Sequence, residues 1–451
     1  MESITNGAAV LGAIRHHRYL VAVLLAVVAA AFVAVAPAVA QGGGPSAGPP
    51  SGAPPGPSAG LPSSAPHEVW MLDQGTDLIH VIDERGNEIV EIDVSPDALE
   101  GRGFEHVPPG ENTVPHMIDF DSEQRFAFVA ATAGAATIII DAEAKEVAEV
   151  LPTGAGSHMA AVTPDDSAVW VAAIGATDMV EIALDLDAPS FEIVTTLDVA
   201  ELLAPIEEAN PDWRSNDPTI DPDADFAYTS YAPVCHQYSA DSTEAWVTLG
   251  PAWQQGGLFV LDLDAEEVIA AWDPSEVKAN CGAVISPDGE HAVANWSGEV
   301  IGPGEDTDGE WYLFDADTKE LLRTESAQGL DAHGVRFSPD GKRLWAANRN
   351  SDNALIINAR TFEVIRVIED VADTPDILDF SPDSRLVYLS QRGPTPVSGA
   401  PHAASGDQPG VAVVHARSGR TLRVFEPETV VDEDGEVLND IHGVGVRATG
   451  P

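Results

Sequence analysis

HGVRFSPDGKRLWAANRNSDNALIIN, residues 333–358, holds three short apolar stretches separated by two polar turns. Val335 and Phe337 alternate with polar residues before the turn SPDG, and further apolar runs begin at Leu344 and Ala354. Short runs bounded by turn residues predict antiparallel β-strands. The stretch opens on a histidine, and other copies of the pattern must show what that position means.

The same frame recurs along the chain. Each copy has an opening residue, three variable residues, an apolar residue, a Ser/Thr/Asp turn and a second strand. Units of four short strands that repeat at about 40–50 residues are typical of propeller blades. One blade cannot bury both of its faces, so the units must stack in a circle. The copies open at His116, His158, Cys281, His333, Asp376 and His442.

The two ends of the folded part complete one blade. Residues 67–94 supply three strands without a first one, and residues 440–449 supply a first strand with nothing after it. The fold class is therefore all-β, a seven-bladed β-propeller closed by strands from both chain ends. Blade four opens at either Asn216 or Val234; we favour Val234, with residues 216–231 as an inserted hairpin, and counting both would give eight blades.

"SPDGKRLWAANRNSDNALIIN" and its sister copies resemble the YVTN-type repeat of seven-bladed propellers, which are related to lactonase-type and cytochrome-d1-type propellers. The resemblance covers residues 67–450. The Tyr-Val-Thr of the repeat name is mostly replaced by Trp-Val-Ala, Trp-Ala-Ala or Phe-Val-Ala. Because this superfamily contains enzymes, ligand binders and surface proteins, the resemblance implies the fold rather than the function.

The N-terminal part is typical of a targeting segment. The basic flank 15–18 precedes an apolar run over 19–35 and an Ala-x-Ala site, which predicts a secretory signal over residues 1–40, or an uncleaved anchor. Residues 41–66 are a Gly/Pro/Ser-rich linker, and the propeller occupies 67–451. We expect an extracytoplasmic protein, secreted or tethered to the cell surface, with membrane contact only through an uncleaved N-terminal segment.

Composition limits the partners. Asp and Glu number 73 against 22 Lys and Arg, which gives a formal net charge of −51. Nucleic acid would be repelled by such a surface. The 44% of hydrophobic residues can bury a core, so the chain is not a disordered acidic tail. Acidic residues spread along the whole chain are the pattern of halophilic proteins. Separately, we expect the protein to be a monomer.

The opening residues predict a metal site. The first strand of each blade lines the central channel, so these residues lie at one height around one axis. Imidazole, thiolate and carboxylate are ligands of transition metals. Histidines from several blades about the axis are similar to the copper-cluster propeller of nitrous oxide reductase, so copper is the first expectation. In the alternative, the histidines only hydrogen-bond neighbouring blades. The candidate ligands are His116, His158, His236, Cys281, His333, Asp376 and His442.

Other residues near the same face have their own expectations. Cys235 and Cys281 fall on adjacent blades, so an exported chain would either bridge them in a disulfide or use a thiolate at the metal. Arg349, Arg392 and His402 lie in loops after second strands and are candidates to hold an anionic group over the channel. The chain contains no C-x-x-C-H motif, which excludes covalent c-type haem.

These observations favour an exported propeller that binds a transition metal through a histidine-rich site at the channel mouth, with redox or hydrolytic chemistry at that metal. A small molecule or a protein would bind at the same face. Two other classes stay open: a non-catalytic cell-surface propeller for protein or glycan binding, and a lactonase-like hydrolase.

Overall fold

The computed structural model describes residues 65–102, 112–210, 231–250, 256–273, 275–299, 306–399 and 405–450. Within these ranges, strands form seven antiparallel sheets of four strands each. Residues 1–64, which include the expected signal and all but the last two residues of the linker, lie outside the described residues. Among the residues described, no helix is long and apolar enough to cross a membrane.

Six of the sheets consist of four strands that follow one another in the chain, and the seventh combines the first three strands with the last. We number this closing sheet blade one and the other six blades two to seven in chain order. In chain order the strands are β1 His67–Asp73, β2 Leu78–Asp83, β3 Glu88–Asp93, β4 Pro115–Phe120, β5 Phe126–Ala131, β6 Ala136–Asp141, β7 Glu146–Leu151, β8 Ser157–Val162, β9 Ala168–Ala173, β10 Asp178–Asp185, β11 Ser190–Asp198, β12 Pro233–Tyr238, β13 Glu244–Leu249, β14 Gly257–Asp262, β15 Glu267–Trp272, β16 Ala283–Ile285, β17 His291–Trp296, β18 Glu310–Asp315, β19 Leu321–Ser326, β20 Ala332–Phe337, β21 Arg343–Asn348, β22 Asn353–Asn358, β23 Val364–Ile368, β24 Pro375–Phe380, β25 Leu386–Gln391, β26 Gly410–His415, β27 Arg420–Phe425 and β28 Ile441–Ala448.

The ring closes as the sequence predicts. β28 pairs antiparallel with β1, with His67 opposite Ala448 and Met71 opposite Val444. The innermost strand of each blade contacts the innermost strands of both neighbours, in the circular order β28, β4, β8, β12, β16, β20, β24 and back to β28. The seven-bladed propeller closed by both chain ends is therefore confirmed.

Blade four begins at β12, so the frame that opens at Val234 is the correct one. The competing frame, residues 216–230, lies outside the described residues. A helix, α1 (Val199–Ala209), follows the last strand of blade three; Asp198 caps it, because its side chain accepts from the N–H groups of Ala200 and Glu201.

The core lies between the blades. The second strands are almost wholly buried, and β5 and β9 are buried at every position, because both faces of a blade pack on a neighbour. Four tryptophans fill these interfaces with almost no exposed surface: Trp70, Trp246, Trp311 and Trp345. This packing places the innermost strands around the axis, where the candidate site lies.

Candidate functional site

A one-residue bulge positions the opening side chain in six of the seven frames. In blade two, His116 is the extra residue between the pairs Pro115–Ala131 and Met117–Ala130. The innermost strands of blades one, three, four, six and seven shift register by one residue at the equivalent place. A bulge bends the strand and re-aims a side chain. The repeat therefore sets both the register of these residues and their direction.

Six opening residues form one continuous cluster, which we call the axial cluster: His116, His158, Cys281, His333, Asp376 and His442. Nε2 of His116 lies 2.9 Å from Nε2 of His158, and the ring of His116 stacks on that of His442 with centroids 3.8 Å apart. Asp376 lies between His333 and His442, and Sγ of Cys281 is 3.5 Å from Nδ1 of His333. The sequence predicted this convergence from the frame alone.

Backbone partners fix the tautomers of two imidazoles. Nδ1 of His158 lies 2.8 Å from the carbonyl of Val234, and Nδ1 of His442 lies 3.0 Å from the carbonyl of His116. A carbonyl can only accept, so Nδ1 carries the proton in both rings and Nε2 presents a lone pair. Metal-binding histidines characteristically donate a hydrogen bond from their second ring nitrogen in this way.

The pair His116–His158 is satisfied by hydrogen bonds alone. The oxygen of the Gln74 side-chain amide accepts from Ser398 and Arg392, which fixes the orientation of the amide. Its nitrogen therefore donates to Nδ1 of His116 at 2.5 Å. Nε2 of His116 therefore carries the proton and donates a hydrogen bond to Nε2 of His158. This part of the cluster fits the alternative in which histidines bond to their neighbours.

His333, Asp376 and His442 are arranged differently. Their donor atoms all lie within 4.8 Å of one another. Nε2 of His333 is 3.3 Å from Oδ1 of Asp376, and Nε2 of His442 is 3.7 Å from Oδ2. The lone pair on Nε2 of His442 thus faces a carboxylate, another acceptor. Two acceptors that face each other are stabilised by a cation between them.

The imidazoles of the cluster are neutral at pH 7. Burial is the largest cause in each case: it lowers the pKa of His158 to about 3 and that of His442 to about 4. The pKa values of His116 and His333 also lie well below the ordinary value, with contributions from neighbouring imidazoles and, for His333, from Arg349. Neutral imidazole is the form that binds a metal.

Arg349 and Arg392 do not have the role that the sequence predicted for them. Arg349 is 2% exposed and Arg392 0%, and both bind Asp376, with Nη1–Oδ2 distances of 3.2 and 2.9 Å. Arg349 also pairs with Asp331, and Arg392 with Asp440. Burial alone would raise the pKa of Asp376, but the two arginines and two histidines hold it well below its usual range. The guanidinium groups are buried and neutralise internal carboxylates, so they are not the exposed cations that an anion clamp over the channel requires.

Two further expectations need correction, and a third concerns a residue that the structure does not describe. His236 is fully buried, and its Nε2 bonds outside the axial cluster, at 3.0 Å from both the carbonyl of Trp170 and the hydroxyl of Tyr238. Cys235 and Cys281 are both free, buried thiols, so no disulfide joins them. His402 lies outside the described residues.

Asp331, Asp440 and Gln74 complete the site and were missed in the sequence. A signal for the two aspartates exists: the motif Asp-x-His-Gly occurs at 331–334 and again at 440–443. Each aspartate stands two residues before an opening histidine and binds a buried arginine. Gln74 has no comparable signal, because its contact with His116 crosses from one blade to the next.

Comparison with known proteins supports the fold. The chain matches no family model and no curated protein. Among solved structures it is similar to "Kuenenia stuttgartiensis Hydrazine Synthase", with a TM-score of 0.53 and 12% sequence identity over 79% of this chain and 91% of that chain. Similarity at this identity shows the fold alone.

Proposed function

We propose that this protein is an exported propeller that binds a divalent transition-metal ion at His333, Asp376 and His442. The observation that carries the proposal is the lone pair of His442 Nε2, which faces the Asp376 carboxylate at 3.7 Å while Nδ1 is held by a backbone carbonyl. An ion between these acceptors would remove their repulsion and would be held by two imidazoles and one carboxylate.

The charges near this site suit one cation. The guanidinium groups of Arg349 and Arg392 are paired with three buried carboxylates, those of Asp331, Asp376 and Asp440. The imidazoles are neutral, so the group carries one formal negative charge. A divalent ion changes this to one positive charge, which is a small imbalance for a buried site and leaves room for an anionic ligand on the metal.

Copper remains our first expectation for the ion. Imidazole nitrogens outnumber the other donors, and Cu²⁺ heads the affinity order of divalent first-row ions. Iron(II) and zinc also accept two imidazoles and a carboxylate, so they are the alternative ions for this site. Three protein ligands leave positions open, so a bound ion would supply redox or Lewis-acid chemistry to a small molecule that reaches it from the channel. His333 is the ligand with the most exposed side chain, at 15%.

The test measures metal stoichiometry. Protein freed of metal with a chelator is dialysed against Cu²⁺, Zn²⁺ or, without oxygen, Fe²⁺, and bound metal is determined by elemental analysis. The wild type should retain the ion, and His442→Ala should lose one equivalent, because a site that lacks one of three ligands binds far more weakly. His415→Ala, outside the axial cluster, is the control and should retain it. Wild-type protein that retains none of the three metals would overturn the proposal.

A further inference from the structure

His333 presents both of its ring nitrogens to acidic groups. Nε2 lies 3.3 Å from Asp376, at the ion site proposed above. Nδ1 lies 3.5 Å from Sγ of Cys281 and 4.0 Å from Oδ1 of Asp331. One imidazole therefore stands between two separate sets of donors, one on each side of the ring.

The Cys281 side of the His333 ring faces a buried carboxylate oxygen that lacks a hydrogen bond. Oδ1 of Asp331, 4.0 Å from Nδ1, has no hydrogen-bond partner among the residues described, and Asp331 is fully buried. A buried acceptor without a donor is destabilising, so a cation beside Oδ1 of Asp331 would satisfy this atom.

The sulfur–nitrogen distance fits a tetrahedral ion. Zinc binds sulfur at about 2.3 Å and imidazole nitrogen at about 2.0 Å, so tetrahedral angles place these two donors about 3.5 Å apart. The Sγ–Nδ1 distance between Cys281 and His333 is 3.5 Å. Oδ1 of Asp331 lies 4.0 Å from Nδ1 of His333, whereas two such ligands of a tetrahedral ion would lie about 3.3 Å apart. The carboxylate would have to turn toward the ion while its Oδ2 keeps the contact with Nε of Arg349 at 2.6 Å.

Cys281 is also held firmly in place. Its N–H donates to the carbonyl of Asn295, and its own carbonyl accepts from Oγ1 of Thr248 at 2.7 Å. Two blades thus fix the backbone that carries the thiol. The side-chain amide of Asn295 in turn donates to the carbonyl of His333 at 2.9 Å, which holds the two donor residues together.

We propose that a second ion, of the zinc class, binds to Cys281 Sγ, His333 Nδ1 and Asp331 Oδ1, so that His333 bridges two metal ions as an imidazolate. The bridge rests on the proposed function, because its other end is the ion at Asp376 and His442. The second site itself uses donors that the first does not.

The binding step balances in protons and charge. A sulfur–metal bond and a nitrogen–metal bond form, while the S–H bond of Cys281 and the remaining N–H bond of His333 break. Two protons leave to solvent and two positive charges arrive with the ion. The second ion therefore enters without adding net charge to a buried region that already holds two arginines.

Cobalt(II) is the probe, because it replaces zinc and shows an absorption band when a thiolate binds it. Metal-free full-length protein is titrated with Co²⁺. We expect two equivalents, a thiolate band, and a magnetic moment below the sum for two isolated ions. Cys281→Ser should bind one equivalent without the band. Cys235→Ser, which removes the other buried thiol, is the matched control and should bind two with the band.

Further variants separate the two proposals. Asp331→Asn keeps the thiol and should weaken the thiolate-bound cobalt at least about tenfold, the lower limit for changes near a metal site. His442→Ala should keep the thiolate band and lose the other equivalent. If the wild type binds one equivalent that Cys281→Ser retains and His442→Ala loses, the second ion is wrong and the proposed function stands. If the thiolate-bound equivalent alone is found, the second site stands and both the first ion and the bridge are wrong. Thermal unfolding of each variant shows that it is folded.

Discussion

Asp376 shows what a single residue position can and cannot reveal. Its place in the repeated frame correctly predicted that it meets His333 and His442 at the axis, because equivalent positions in a propeller converge. Its pairing with Arg349 and Arg392 could not be read from the frame. Those two contacts depend on the direction of long side chains across blade boundaries, and the pattern of strands carries no information about that direction.

His236 makes a prediction about pH at the same scale. Burial lowers its pKa to about 4, although its hydrogen bond to the Trp170 carbonyl opposes this. Between about pH 6.5 and 4 the unfolded chain holds a proton on this ring that the folded chain does not, so acid favours unfolding. The unfolding free energy of metal-free protein should fall with acidification, and this ring contributes up to about 1.4 kcal/mol per pH unit.

The measurement is chemical denaturation of wild type and His236→Gln at several values of pH between 7 and 4.5. Glutamine does not titrate, so the variant should show the shallower dependence on pH even if it is less stable throughout. Equal slopes for the two proteins would mean that His236 is protonated in the folded state.

Among the elements, the innermost strands explain the glycine that follows several opening residues. A Cβ on Gly334 would stand 2.3 Å from the carbonyl oxygen of Asp376, and one on Gly443 would stand 2.4 Å from that of His116. In both cases the obstacle is the opening residue of the next blade. The sequence shows the His-Gly pairs, but their cause is visible only when neighbouring strands are in place. The bulges likewise left no clear trace in the alternation pattern.

Gly334→Ala should therefore act on the site through the backbone. The added methyl group must push the Asp376 carbonyl away, and overpacking of this kind costs about 1–3 kcal/mol. Urea denaturation should show this loss, and metal affinity should fall with it because Asp376 moves. Gly435→Ala, whose Cβ would meet nothing within 4 Å, is the comparison and should leave metal affinity unchanged. Unaltered stability and affinity in Gly334→Ala would show that the blades adjust freely.

For the whole molecule, the pairing of β28 with β1 holds the ring shut. Removal of residues 441–451 takes away the innermost strand of blade one and with it His442. The exposed inner edge of β1 and the open faces of its neighbours should make the truncated chain insoluble. Removal of residues 449–451 alone is the control and should leave soluble protein. Both are checked by sedimentation and by circular dichroism, and a soluble ring with unchanged melting temperature after the longer deletion would contradict closure by both ends.

The pairing of β28 with β1 also determines when, during synthesis and folding, the ring can close. β28 leaves the ribosome after every other described strand, yet it must join β1, which emerged before them all. Contacts so distant along the chain form slowly, since the whole intervening loop must first be closed. His442 is delivered by this late strand, whereas His333 and Asp376 arrive earlier. Until β28 pairs with β1, the chain lacks one of the three proposed metal ligands, so the ion proposed above could be bound only after the ring has closed.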